Sequence, residues 1–87
     1  LMQIAQRHGV EAVSIFGSVA RGESTTSSDV DFLLDMQDGA SLFGVGGFIH
    51  ESSKLLGVSV DAVPRSALAQ VKDRDFVQRI QSEAVQI

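Results

Sequence analysis

Two aspartates, Asp29 and Asp31, stand one residue apart at the start of the apolar run 32–34. Because side chains alternate between the two faces of a strand, this spacing places both carboxylates on one face. Neighbouring anionic groups repel each other unless a cation lies between them. Mg²⁺ prefers oxygen ligands and commonly binds one or two protein carboxylates together with substrate phosphates. The aspartate pair therefore predicts a site for a metal-bound phosphate compound.

A Gly-Ser pair, Gly17-Ser18, closes the preceding apolar run. Gly17 allows the backbone to turn sharply or to approach a ligand closely. Ser18 is a good helix N-cap, and the free N–H groups of a helix N-terminus favour a phosphate. Arg21 is a further candidate for nucleotide binding, since its guanidinium matches phosphate oxygens. It could equally hold the loop by pairing with Glu23 or Asp29, and the sequence leaves both roles open.

Asp-x-Asp and Gly-Ser are each common by chance, so the order and spacing of the parts carry the signal. Gly17-Ser18, ten intervening residues and then Asp29-Val30-Asp31 resemble the signature of the DNA polymerase beta-like nucleotidyltransferase superfamily. Within it, segment 17–23 followed by 28–31 is similar to the small stand-alone group called minimal nucleotidyltransferases. The resemblance covers nearly the whole chain.

The resemblance implies that a hydroxyl attacks the α-phosphorus of a nucleoside triphosphate, ATP in this family, and that pyrophosphate leaves. It implies two Mg²⁺ ions held by Asp29 and Asp31, with Gly17 and Ser18 positioning the β- and γ-phosphates. Asp61 matches the third carboxylate of the family site, which holds the ion on the nucleophile side and draws off the hydroxyl proton. The resemblance thus implies three catalytic and metal-binding aspartates.

The resemblance also implies a protein partner. Minimal nucleotidyltransferases are often paired with HEPN-domain toxins and act as antitoxins by transferring AMP to a tyrosine near the RNase site, so a hetero-oligomer is expected. Two alternatives stay open: an antitoxin that only binds and masks its partner, and a transferase that modifies a small molecule, as the aminoglycoside nucleotidyltransferases do. The intact Gly-Ser pair and the three aspartates argue against the first, and the lack of an additional helical domain argues against the second.

Length and composition bound these interpretations. A chain of 87 residues favours a single nucleotidyltransferase domain, 1–87. Because the chain begins with Leu1 and not methionine, a truncated N-terminus is one expectation. The absence of a signal peptide or a long apolar run predicts a cytoplasmic protein without a membrane partner. The net charge is −4, and the sequence shows no basic patch of the kind that binds duplex nucleic acid. No direct binding of duplex nucleic acid is therefore expected.

The apolar patterns predict an α/β (α+β) fold, a small mixed sheet with helices mainly on one face. We expect helices over 1–8, 41–56 and 73–84, and strands over 12–16, 30–35 and 58–63. Ser41 and Asp73 are the expected N-caps of the second and third helices, and Gly57 is the expected end of the second. The side chains of the last helix that are expected to point inward are those of Phe76, Val77, Ile80 and Ala84. Alternation in the third strand places Asp61 on the face that carries Asp29 and Asp31, if the strands are neighbours. The opposite face packs against the helices, so the acidic face is expected to be open. Asp35 is expected to lie in water at the far end.

Three glycines and two histidines are further functional candidates. Gly44, Gly46 and Gly47 are unusual inside a helix and lack the spacing of a phosphate-binding loop, so they predict a loosely formed helix start or close packing against a partner. His8 follows the first helix and His50 lies within the second. A surface His is favoured near a helix C-terminus, which is where His8 stands, and His50 lacks a second His four residues on, so both are predicted to be surface residues.

Overall fold

The computed structural model describes residues 1–17, 22 and 30–87. The elements of this part of the chain follow in the order α1 (Met2–Arg7), β1 (Val10–Phe16), β2 (Val30–Met36), α2 (Phe43–Leu56), β3 (Val60–Pro64), a 3₁₀ helix (Arg65–Gln70), α3 (Arg74–Glu83) and β4 (Val85–Gln86). Within these residues every helix is too short or too polar to cross a lipid bilayer.

The described strands form a mixed sheet in the order β3-β2-β1-β4. β1 runs antiparallel to β2 and to β4, whereas β2 and β3 are parallel. A parallel pair needs a crossover connection, and α2 supplies it between β2 and β3. The predicted small mixed sheet is confirmed, although β4 was not predicted. In this strand order, β2 is a central strand and β3 is an edge strand of the described sheet.

α1 and α2 pack on one face of the sheet. Their buried side chains meet Phe32 and Leu34 of β2 and Val60 of β3. The rings of Phe32 and Phe48 lie 5.6 Å apart in an edge-to-face arrangement, which suits aromatic pairs. Phe32 and Leu34 therefore face the helices, as the alternating pattern predicted.

The opposite face of the sheet is not open, contrary to our expectation. Leu33 of β2 is fully buried there against Leu68 of the 3₁₀ helix and Val77 and Ile80 of α3. The sequence pattern identified a helix at α3 but not the face on which it packs. The 3₁₀ helix and α3 therefore cover the face that carries Asp31, beginning at Leu33, which is two residues further along β2.

The ends of the later helices follow local signals. α2 ends at Gly57, which has a φ of 71°, and begins at Phe43 with Leu42 as its N-cap, one residue after the predicted cap Ser41. The hydroxyl of Ser41 accepts a hydrogen bond from Phe43 N–H at 3.1 Å, as the side chain of an N-cap serine does. α3 has the predicted N-cap: the Asp73 carboxylate accepts a hydrogen bond from Phe76 N–H at 3.1 Å. Asp73 thereby fixes the start of α3.

His8 is not the surface residue that the sequence predicted. Its side chain is only 25% exposed, and its Nε2 lies 2.7 Å from Oε2 of Glu51 in α2. This hydrogen bond is the main cause that lowers the pKa of Glu51, and Arg7 adds to the effect from 3.4 Å. His50, in contrast, is exposed as predicted. His8 therefore joins the end of α1 to α2.

The glycines of α2 make room for this contact. A Cβ at Gly44 would overlap the carbonyl oxygen of His8, and a Cβ at Gly47 would lie 2.5 Å from its ring. Gly46 has nothing within 4 Å of such a Cβ. The predicted close packing is present within the described chain, between α1 and α2, and it accounts for two of the three glycines.

Asp35 does not lie free in water, so that expectation was also wrong. Arg65, the first residue of the 3₁₀ helix, donates from Nε to Oδ1 of Asp35 at 2.6 Å and from a terminal nitrogen to Oδ2 at 3.3 Å. Such two-point pairing is specific to the planar guanidinium group. Asp35 therefore fastens the 3₁₀ helix to the end of β2.

Candidate active site

Asp31 and Asp61 are direct register partners on the parallel strands β2 and β3. Partners on neighbouring strands are about 4.8 Å apart along the hydrogen-bonding direction and point to the same face. The next pair on that face, Leu33 and Val63, contributes to the core beneath α3. The structure therefore brings these two predicted site residues together on one face.

Gly17 lies directly beside this pair. The register of β1 and β2 places Phe16 opposite Asp31, and the chain then turns at Gly17 with a φ of 77°. A Cβ on Gly17 would lie 2.6 Å from Oδ2 of Asp31. Only glycine combines this backbone conformation with so close an approach to a carboxylate.

Three of the predicted site residues lie outside the described residues. These are Ser18, Arg21 and Asp29. Their predicted roles in binding phosphate and metal are therefore untested by this geometry. Among the residues that are described, the site consists of Gly17, Asp31 and Asp61.

The described part of the site fits a hard divalent cation. Asp31 and Asp61 offer carboxylate oxygens from adjacent strands, which is the donor type that Mg²⁺ selects. Over residues 1–17, 22 and 30–87, no group of three or more metal-ligating side chains is present. Two carboxylates still suffice, because Mg²⁺ usually completes its shell with water and substrate phosphates.

A groove of about 610 Å³ opens beside Asp31, between the end of β1 and α3. Its lining consists of Phe16, Gly17, Asp31, Phe76, Arg79, Ile80 and Glu83. A groove of this size lies within the range of ~300–1,000 Å³ that is usual for small-molecule sites. The four lining residues from α3 follow the spacing of one helix face. α3 therefore forms one wall of the candidate site.

Sequence reasoning missed the contribution of α3. Phe76 was predicted to point inward, but it is 41% exposed at the groove, and Arg79 was not predicted as a site residue. The Arg79 guanidinium carbon lies 6.0 Å from the centre of the Phe76 ring. The helical spacing of positions 76, 79 and 83 was a signal for one shared face, but nothing local indicated that this face meets Asp31.

The chain matches the family model described as nucleotidyltransferase domain over residues 1–86. It belongs to this family. The assignment agrees with the position of the aspartates at the ends of two neighbouring strands beside a glycine turn. The chain is thus a nucleotidyltransferase, as the resemblance of its Gly-Ser and Asp-x-Asp motifs implied.

Two curated relatives of this nucleotidyltransferase are both named after the same activity, protein adenylylation. "Putative protein adenylyltransferase MJ0435" of Methanocaldococcus jannaschii is 35% identical over 88 residues, which cover 100% of this chain and 89% of that protein. "Protein adenylyltransferase MntA" of Thermococcus cleftensis is 38% identical over 66 residues, which cover 76% of this chain and 67% of that protein. The chain is therefore similar to proteins named as protein adenylyltransferases.

Solved structures agree on the fold. The solved structure "Structure of putative minimal nucleotidyltransferase" is 32% identical, with a TM-score of 0.79 over 99% of this chain and 84% of that chain. A crystal structure of a toxin–antitoxin with AMP-PNP is 16% identical, with a TM-score of 0.73 over 98% of this chain and 67% of that chain. The polymerase-beta-like fold of a minimal nucleotidyltransferase is confirmed.

The site of this nucleotidyltransferase has two sides. Asp31 is central, with Gly17 and the groove toward β1 on one side and Asp61 on the edge strand β3 on the other. Asp61 is exposed and is not part of the groove lining. A reaction between two substrates can use this arrangement, because each substrate approaches Asp31 from a different side.

Proposed function

We propose that this nucleotidyltransferase uses Mg²⁺ and transfers AMP from ATP to a hydroxyl group of a partner protein, and that it acts in this way as an antitoxin. The observation that carries the proposal is the pairing of Asp31 with Asp61 beside the Gly17 turn. Paired carboxylates on adjacent strands suit a metal-bound phosphate, and the glycine turn leaves room for it.

ATP as the donor has two supports. The curated relatives are named adenylyltransferases, and a protein of the same fold was crystallised with AMP-PNP, an analogue of ATP. The groove beside Asp31 has a suitable volume for such a nucleotide. We therefore take ATP as the nucleotide that enters the groove.

In the proposed reaction, the hydroxyl oxygen of the acceptor forms a bond to the α-phosphorus of ATP. The bond from that phosphorus to the bridging oxygen breaks, and pyrophosphate leaves with the electron pair. Mg²⁺ held by Asp31, Asp61 and Asp29 would neutralise the negative charge that develops on the phosphates.

Asp61 is the residue best placed to accept the proton of the attacking hydroxyl. It is exposed on the edge strand β3, where an acceptor can approach without crossing the nucleotide groove. A carboxylate within hydrogen-bond reach of a hydroxyl can serve as a general base. Asp31, in the central strand, faces both the acceptor side and the groove. The two aspartates thus have different tasks in the proposal.

The acceptor in this proposal is a tyrosine of a HEPN-domain toxin. The support is the resemblance of the chain to minimal nucleotidyltransferases, together with a similar fold in toxin–antitoxin structures. A protein hydroxyl also agrees with the exposure of Asp61, because a folded partner can reach only an open side of the site. The active assembly would then be a hetero-oligomer.

The test is transfer of label from α-labelled ATP, with Mg²⁺, to a co-expressed HEPN-domain partner. Wild type is compared with Asp31→Asn and with Asp38→Asn, which removes one charge from an exposed turn away from the site. We expect labelled partner with wild type and Asp38→Asn, and no label with Asp31→Asn or after chelation of Mg²⁺. Replacing the modified tyrosine of the partner with phenylalanine should also abolish labelling.

Other outcomes would overturn the proposal. An unlabelled partner that is still bound and neutralised by wild type would indicate an antitoxin that acts by masking. Label on a small hydroxyl compound instead of the partner would indicate a small-molecule transferase. Equal labelling by wild type and Asp31→Asn would exclude the aspartate pair as the reactive centre.

A further inference from the structure

One face of α3 forms a wall opposite Asp31. Phe76, Arg79, Ile80 and Glu83 recur at helical spacing and all line the groove. Ile80, at 6% exposure, belongs to the core beneath the sheet, and Val77 is fully buried next to it. α3 is therefore anchored by its core residues, so its groove residues have defined positions.

Phe76 and Arg79 have complementary chemistry at this wall. An exposed aromatic ring can stack on a base, and base–aromatic stacking contributes about 1–3 kcal/mol per base. A guanidinium group pairs with phosphate oxygens by charge-assisted hydrogen bonds. Phe76 is 41% exposed, and the guanidinium carbon of Arg79 lies 6.0 Å from its ring centre. Together they offer one surface for a base and one cation for a phosphate.

The charges that line the groove leave one favourable position for an anionic group, next to Arg79. Asp31 and Glu83 both line the groove, so its carboxylates repel a free triphosphate. Among the described lining residues, Arg79 is the one with a positive charge. A triphosphate in the groove would therefore gain most from a contact with Arg79, in addition to its bound metal.

The location of the groove decides which substrate it serves. It lies on the Gly17 side of Asp31, whereas Asp61 lies on the β3 side and does not line it. Gly17 is where the chain leaves room beside the carboxylate of Asp31. The groove is thus continuous with the part of the site that suits the phosphates, and the acceptor side is elsewhere.

We propose that α3 forms the wall of the nucleotide site that binds the base. In this proposal, Phe76 stacks on the base and Arg79 binds a phosphate of the same nucleotide. This inference rests on the proposed function for the statement that a nucleoside triphosphate is the substrate. It assigns two residues that lie outside the Gly-Ser and Asp-x-Asp motifs.

The test measures equilibrium binding of α,β-methylene ATP, which cannot transfer AMP, and of inorganic tripolyphosphate, both with Mg²⁺. Phe76→Ala should weaken binding of the nucleotide about 5- to 150-fold and leave tripolyphosphate binding unchanged. Arg79→Gln should weaken both ligands about 10-fold, and this loss should shrink as salt is raised. Phe76→Trp, which keeps an aromatic face, should restore nucleotide binding.

Matched controls come from exposed residues that do not line the groove. Phe43→Ala removes a ring that is 93% exposed at the start of α2, and Lys72→Gln removes one positive charge before α3. Both variants should bind the nucleotide as wild type does. Thermal unfolding of all variants separates a loss of binding from a loss of folded protein.

The outcomes separate this inference from the proposed function. If wild type transfers AMP and Phe76→Ala binds the nucleotide as tightly as wild type, the inference is wrong and the proposed function stands. If the variants weaken nucleotide binding but wild type transfers nothing to its partner, the inference stands and the proposed transfer fails. A rise in KM for the acceptor alone would show that the groove holds the acceptor, and lack of analogue binding by wild type would also overturn the inference.

Discussion

The backbone at Gly17 approaches the carboxylate of Asp31 so closely that an added Cβ would lie 2.6 Å from Oδ2. The last pair of the β1–β2 ladder, Phe16 with Asp31, brings the two segments together at this point. The turn at Gly17 has a φ of 77°, which glycine adopts without strain. The end of β1 therefore leaves space for a ligand of Asp31 where any other residue would fill it.

Gly17→Ala should lower the rate of AMP transfer at least about 100-fold, because the new methyl group displaces the Asp31 carboxylate. Because alanine is strained at this positive φ, the substitution should also lower the free energy of unfolding by about 1–2 kcal/mol. Gly39→Ala is the matched control, since Gly39 has a φ of 76° and nothing within 4 Å of an added Cβ. It should lose similar stability but keep full activity, as measured by transfer rate and thermal unfolding. Equal activity of the two variants would contradict the role of the Gly17–Asp31 contact.

Asp61→Asn should lower kcat about 100-fold or more while changing the Kd of the non-reactive ATP analogue less than about 3-fold. The reason is position: Asp61 is exposed on β3 and does not line the nucleotide groove. Single-turnover transfer at saturating Mg²⁺ gives the rate, and calorimetry gives the affinity. A variant that loses nucleotide affinity as much as rate would place Asp61 in nucleotide binding instead.

Gly44→Ala should destabilise the fold by about 1–3 kcal/mol, although alanine is the better helix former. The added Cβ would overlap the carbonyl oxygen of His8, and a backbone atom cannot move aside as a side-chain end can. Gly46→Ala, in the same helix, has open space and should gain up to about 1 kcal/mol. Urea unfolding of the two variants gives the comparison. Stabilisation by both substitutions would exclude close packing between α1 and α2.

The hydrogen bond between His8 and Glu51 should make the stability of the α1–α2 contact fall at acid pH. The hydrogen bond from His8 is the main cause that lowers the pKa of Glu51 in the folded chain. A carboxylate with a lowered pKa contributes stability above its ordinary pKa of 4.5 and loses that contribution as pH falls through the lowered value.

The melting temperature of wild type should therefore fall between about pH 5 and pH 3, and Glu51→Gln should remove part of this decline. Glu11→Gln, which alters an exposed carboxylate on β1, is the control and should follow the wild-type profile more closely. Identical pH profiles for wild type and Glu51→Gln would show that the His8 contact contributes nothing to stability.

Local alternation in the sequence was sufficient to predict which residues of a strand share a face of the sheet. Alternation in β2 separated Phe32 and Leu34, which pack under the helices, from Asp31 and Leu33 on the other face. It also placed Asp61 on the face of Asp31, and the structure pairs them. Alternation succeeds because it depends only on the geometry of an extended backbone, which repeats every two residues.

Helix ends were predictable for the same reason. Gly57 ends α2 in a left-handed conformation, and the Asp73 carboxylate caps α3. Both signals act within a few residues, so they need no knowledge of the rest of the fold. The start of α2 lies one residue beyond the predicted N-cap Ser41, whose hydroxyl still accepts a hydrogen bond from Phe43 N–H.

Long-range packing decided what the sequence left open. The face of the sheet beneath α3 was expected to be open, and Asp35 and His8 were expected to be free at the surface. Instead Leu33 is buried, Asp35 pairs with Arg65, and His8 pairs with Glu51 across 43 positions of sequence. No local pattern encodes such pairs, because each depends on how two distant elements dock.

The sequence by itself determined the motif and therefore the family: Gly17-Ser18 and Asp29-Val30-Asp31 stand at a fixed spacing along one stretch of chain. Only the tertiary structure decided that α3 lies across from Asp31 and turns Phe76 toward the groove. The physical reason is that a motif is set by neighbouring residues, whereas a groove is set by the docking of α3 through its buried face on Leu33.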